Sequence, residues 1–148
     1  MSLCLACGFC CDGTLFDRVP LVEDELPLLS SVLQVAPGAH HARQPCPALE
    51  GRSCRVYAER PLTCRRFRCL LLEAHEADEV SLAGAVEVVA STRALRAKVA
   101  EALGVPDAGT VVEAARAPGV SQAAADAVAR LDRQLAFHFL GQRSRRAR

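Results

Sequence analysis

The chain lacks an excess of charge of either sign: 18 basic residues stand against 17 acidic ones among 148. That balance removes the bulk attraction that binding to nucleic acid or to an anionic membrane surface relies on, and neither is expected as a partner. A long apolar run is also missing, because Glu87 and Arg93 interrupt the most hydrophobic stretch, and no membrane span is expected. The start, Met1-Ser2-Leu3-Cys4, carries neither the positive charges nor the continuous apolar segment of a secretory leader. A cytoplasmic protein is the expectation. The nine glycines include no G-x-G pair, so no Rossmann-type phosphate loop is evident. There is no internal repeat, and no cysteine follows Cys69.

What is present is cysteine, eight of them, all within the first 69 residues. In a compartment that keeps thiols reduced, so many clustered cysteines are better explained by metal than by disulfides. In Cys4-x-x-Cys7-x-x-Cys10-Cys11, two intervening residues let successive sulfurs turn toward one ion, and Gly8 helps the chain turn. The bacterial ferredoxin run begins with the same spacing, but its next cysteine comes three residues later, whereas here Cys11 is adjacent. Adjacent side chains diverge, which implies two metal positions or one polynuclear cluster. Cys46, Cys54, Cys64 and Cys69 complete a set that would fill two tetrahedral four-cysteine sites.

The competing readings are burial as small apolar residues, a vicinal disulfide at Cys10–Cys11, and a redox pair at Cys4–Cys7. His40 and His41 precede Cys46 and are further candidate ligands, though eight thiols leave no need for them; His75 and His138 are weaker candidates still. Between Ala39 and Cys69 lie seven arginines and two glutamates, so the cysteine region is locally basic. Guanidiniums there would offset thiolate charge and hydrogen-bond sulfur, with Arg60 and Arg65 as the expected supports and Tyr57 as a packing residue with a bonded hydroxyl.

The pattern predicts a mainly α fold: a loop-rich cysteine metal knot (1–69) with a small β-hairpin, laid on a helical region (70–141) and followed by a basic tail (142–148), all one domain. A short strand is expected within Thr14–Val19, then a helix capped by Asp24 with Leu26, Leu29, Val32 and Leu33 inward, ended by Ala36-Pro37-Gly38. Two strands should flank Glu50-Gly51-Arg52-Ser53, and Pro61 suits the first turn of a short helix. Further on, Val86, Val89, Ala90, Leu95, Val99 and Leu103 recur at helical spacing up to Gly104. A shorter helix is expected over Ala108–Arg116, and a last one from Ser121 to Leu140 with Ala124, Val128, Leu131, Leu135 and Phe139 on one face. The four arginines from Arg143 to Arg148 read as a solvated end.

Read together, Cys4-Leu-Ala-Cys7-Gly8-Phe-Cys10-Cys11, Cys46, and Cys54-Arg-Val-Tyr57 through Arg60-Pro61, Cys64-Arg65 and Cys69 resemble the CxxCxxCC, or YkgJ-like, family of zinc- or iron-chelating domains. Arg68 departs from the proline that many relatives carry before the final cysteine. The resemblance implies a bound metal ion, zinc first or else iron or an iron–sulfur cluster. It also implies, more loosely, a metal-dependent protein-modifying enzyme, since some members are described as flagellin lysine N-methylases. A thiol redox or metal-trafficking protein is the third reading.

Overall fold

A computed structural model describes residues 2–106, 111 and 114–141. The fold is mainly α, with a loop-rich N-terminal half that carries two small antiparallel sheets. The chain divides into two compact units, one over Met1–Arg68 and the other over Cys69–Ser144.

The first unit opens with helix α1 (Leu3–Cys7), closed by Gly8 in the left-handed conformation at φ 74°. Strand β1 (Arg18–Pro20) pairs antiparallel with β2 (His41–Arg43), with Val19 opposite Ala42. The strand expected within Thr14–Val19 therefore starts later, because an Asx turn holds Thr14: its N–H donates to Asp12 Oδ1 at 2.9 Å.

A 3₁₀ turn (Glu23–Glu25) then leads into a single helical turn, α2 (Leu26–Leu29). Asp24 is not the cap that the sequence suggests. Glu25 closes the turn instead, its Oε2 accepting the Val22 N–H at 3.1 Å. The helix is also shorter than its apolar spacing predicts, yet turns beyond it still carry Leu33 inward. Leu21, Leu29, Leu33, Ala42 and Ala48 form one buried cluster of this unit, with Val32, Cys46 and Val56 packed against it, and Phe9 and Leu15 are fully buried as well.

The expected hairpin forms, but its strands are shorter than predicted and take in Glu50 and Ser53, which the sequence placed in the turn. Strands β3 (Leu49–Glu50) and β4 (Ser53–Cys54) pair Leu49 with Cys54 and Glu50 with Ser53, leaving Gly51-Arg52 as the turn, with Gly51 at φ 61°. Pro61 then caps helix α3 (Leu62–Arg66).

The second unit is helical. Helix α4 (Leu70–Glu76) packs against α5 (Leu82–Leu103), and α5 packs against α6 (Gln122–Leu135). Ser81 and Ser121 accept the N–H groups of Gly84 and Ala124, and Gly104 ends α5 at φ 66°. A five-residue π turn, Ala136–Leu140, extends α6, and Gly141 N–H closes it on the Ala136 carbonyl at 2.7 Å. Ala124, Leu131, Leu135 and Phe139 are buried as predicted, while Val128 is half-buried.

The buried face of α5 differs from the expected one. Val89 and Val99 are inward, but the others are Ala85, Thr92, Arg96 and Ala100. This helix has apolar residues on several sides, so periodicity does not choose its inward face, and the partner helix does. Thr92, fully buried, donates to the Val88 carbonyl at 2.8 Å and accepts from Gln134 Nε2 of α6 at 3.2 Å. Of the helix expected over Ala108–Arg116, Val111 is buried and its carbonyl accepts the Ala115 N–H at 2.9 Å; most of that span and the tail after Gly141 lie outside the described residues.

Candidate metal centre

The two cysteine groups of the sequence meet through the backbone. The Cys46 N–H donates to the Cys11 carbonyl at 2.7 Å, which joins the N-terminal run directly to the segment before the hairpin. Gly8 makes a second junction. A side chain at that position would bring its Cβ to 3.2 Å from the Arg52 carbonyl oxygen and would strain the backbone at φ 74°, so glycine suits this close approach of the turn after α1 to the hairpin turn. Past Gly8 the chain doubles back, with the Cys11 and Asp12 N–H groups both donating to the Gly8 carbonyl at 2.9 Å.

The first junction joins the segments of Cys11 and Cys46, and the second sets the turn before Cys11 against the hairpin that carries Cys54. Cys11 lies in the turn after α1, Cys46 between β2 and β3, Cys54 on β4 and Cys64 in α3. The charges of Cys46, Cys54 and Cys64 all act on Cys11, and those of Cys46 and Cys54 act on Cys64. Burial first, and this mutual repulsion second, push the thiols of Cys11 and Cys64 up to about 12. Burial raises Cys46 as well, and Cys54 adds to the rise, against an Ala48 N–H that hydrogen-bonds the sulfur and favours the thiolate. Arg60 favours the Cys64 thiolate and Glu25 opposes it.

The donor chemistry fits a soft or borderline divalent cation: four sulfurs in a basic region, partly withdrawn from water, whose ionisation a positive charge would favour. Their spacing is not that of a closed site. Among the described residues, no three His, Cys, Asp or Glu side chains stand together as the ligands of one ion do.

The other four cysteines are placed differently. Cys4 is exposed on α1, while Cys7 at the end of that helix and Cys10 in the following turn are half-buried. Cys69 caps the N-terminus of α4 and belongs to the second unit. His40 is exposed and His41 sits in β2 opposite Pro20. His75 and His138 are in the second unit, where His75 Nδ1 lies 3.0 Å from the Val80 carbonyl oxygen and His138 stands edge-on to Phe137, with burial lowering its pKa.

Tyr57, Arg60 and Arg65 brace the segment that carries Cys64. The Arg60 guanidinium stacks over the Tyr57 ring at 3.9 Å and donates to the Tyr57 carbonyl, while Arg65 Nε donates to the Arg60 carbonyl at 2.7 Å. The Tyr57 hydroxyl is 3.2 Å from Ser2 Oγ, tying the brace to the start of α1.

Sequence reasoning missed Glu25. Its Oε1 accepts the Leu62 N–H at 2.6 Å, and Thr63 Oγ1 donates to the Pro20 carbonyl at 2.9 Å, so the β1–α2 segment holds the helix that presents Cys64. No spacing rule links residues so distant in sequence. The only local signal was an acidic residue three positions after Val22, where it can close the turn.

The family model CxxCxxCC, described as "Putative zinc- or iron-chelating domain", matches residues 3–84. No curated protein and no solved structure matches the chain. The matched stretch is more than half of the sequence, includes all eight cysteines and runs on through α4 to the first turn of α5. The chain belongs to the CxxCxxCC family.

Proposed function

We propose that this protein chelates zinc or iron through the thiolates of its cysteine region, with zinc the first choice and an iron–sulfur cluster the rival. The observation that carries this reading is the junction of the two cysteine groups, in which the Cys46 amide donates to the Cys11 carbonyl, within a stretch that matches a zinc- or iron-chelating family. Buried thiols that repel one another when ionised gain most from a cation. The eight candidate ligands are Cys4, Cys7, Cys10, Cys11, Cys46, Cys54, Cys64 and Cys69, enough for two four-sulfur sites or one polynuclear cluster.

Bound metal supplies the positive charge that lets these sulfurs ionise and be held together. The chain's own residues do the rest. The Ala48 N–H steadies the Cys46 thiolate, the Arg60 guanidinium favours that of Cys64, and Tyr57 and Arg65 fix Arg60 in place.

Anaerobic purification without added metal, followed by elemental analysis and a visible spectrum, tests the reading. Colourless protein carrying zinc supports the first choice, and brown protein with thiolate-to-iron absorption supports the rival. Protein without either metal, and with all thiols free to titrate, would overturn both.

A further inference from the structure

The sheet of β1 and β2 has one closed edge and one open edge. On the β1 side Pro20 has no N–H to offer, and its carbonyl already accepts Thr63 Oγ1 at 2.9 Å. Between the strands, the Leu21 N–H donates to the His40 carbonyl at 2.9 Å and the Gln44 N–H to the Asp17 carbonyl at 3.0 Å, with Val19 opposite Ala42 midway. Antiparallel pairing alternates, so the N–H and C=O groups of His41 and Arg43 turn away from β1. Among the described residues, no backbone group bonds them there. We infer that this edge of β2 takes up an extended, acidic segment of a partner protein as an added strand. The inference goes beyond metal chelation and does not depend on it.

The side chains define the segment that fits. Val19 and Ala42 are buried on the inner face of the sheet, while Arg18, Pro20 and Arg43 are exposed on the outer one. Arg18 stands directly opposite Arg43, at a position without hydrogen bonds, where side chains come closest. Like charges so placed repel, and an anion laid over them relieves the repulsion. Asp17 relieves it only in part. It meets Arg18 Nε at 3.5 Å with both groups about half exposed, and no carboxylate among the described residues pairs with Arg43. The same charges disfavour a second copy of this chain, which would bring further arginines to a face that already has two. A strand alternating acidic and apolar residues suits both faces. Its carboxylates would lie over Arg18 and Arg43, its apolar residues would continue the inner face beside Ala42, and its backbone would bond His41 and Arg43.

The test titrates the full-length, reduced protein with a fluorescent peptide of alternating valine and glutamate, read by anisotropy, and measures amide exchange with and without it. Binding should weaken as salt rises, and the His41 and Arg43 amides should exchange more slowly in the complex. Arg43→Glu should weaken binding about tenfold or more, with Arg18→Glu acting in the same direction. Arg43 is exposed, and unchanged exchange across β3–β4 and α5 in the variant checks that its fold is kept. A peptide of alternating valine and lysine should not bind. Absence of binding by the glutamate peptide, equal binding by Arg43→Glu, or binding that leaves the His41 and Arg43 amides unprotected would overturn the inference. So would protection of those amides by dimerisation of the protein alone, which would assign the edge to a second copy.

Discussion

The two units reach order by different means. In the second, helices of up to 22 residues carry their own hydrogen bonds and bury a continuous set of side chains, among them Val99, Leu131, Leu135 and Phe139. In the first, no strand among the described residues exceeds three residues and the longest helices have five, and its buried side chains, Phe9, Leu15, Leu21, Leu29 and Leu33 among them, come mostly from loops and single turns. Such short elements are marginal in isolation, because each must offset its own chain entropy with few contacts. The contrast teaches that helical packing can stabilise one half unaided, whereas the other relies on cross-links between loops and, on our reading, on the ion those loops enclose.

Removing the metal is the strongest way to break the comparison. Structural zinc in small domains contributes about 10–16 kcal/mol, so exhaustive chelation should abolish amide-exchange protection across residues 2–68 while α5 and α6 keep theirs. Equal loss in both units would show that the helices depend on the metal as well. The converse perturbation is Leu135→Ala. Its side chain is fully buried, and truncation there should cost about 2–5 kcal/mol in denaturant unfolding of the helical unit, with the metal content unchanged.

A smaller effect is expected from Glu25→Ala, which leaves the Leu62 and Val22 N–H groups without their carboxylate acceptor. Its cost should be about 1–3 kcal/mol, read as faster metal release to a chelator, with Glu25→Gln recovering part of it through the amide oxygen. The mildest test is pH. In the metal-free, reduced protein, the thiols of Cys11 and Cys64 stay protonated up to about 12 in the fold, while the unfolded chain ionises from its ordinary value of 9.0. A raised folded value confers stability that is complete below the unfolded pKa and is lost as pH rises through the folded one, so the urea midpoint should fall as pH climbs from about 9 toward about 12. Metal-loaded protein should behave in the opposite sense and lose its metal as pH falls, because protons compete for the same sulfurs.

Much of the helical unit was legible because its signals are local. Gly104 closes α5, Ser121 opens α6, and the spacing of Ala124, Leu131, Leu135 and Phe139 announces a face. The β3–β4 hairpin was legible for the same reason, since its turn lies between its strands. The inward face of α5 was not, because it includes Thr92 and Arg96, whose burial is decided by a helix elsewhere in the chain. The metal centre was half legible. Cysteine spacing named the candidate ligands, but the meeting of the Cys11 and Cys46 segments arises from a backbone hydrogen bond that leaves no trace in spacing. Glu25 was invisible for a like reason, its partner Leu62 being far along the sequence.

The seat of Gly8 against Arg52 also sets an order of events during synthesis. The Cys4–Cys11 run leaves the ribosome before the segments it meets, and neither the Arg52 peptide that buttresses its bend nor the Cys46 amide that donates to the Cys11 carbonyl exists until later in translation. The bend that carries Cys10 and Cys11 therefore takes its final seat only after the hairpin turn at Arg52 has emerged.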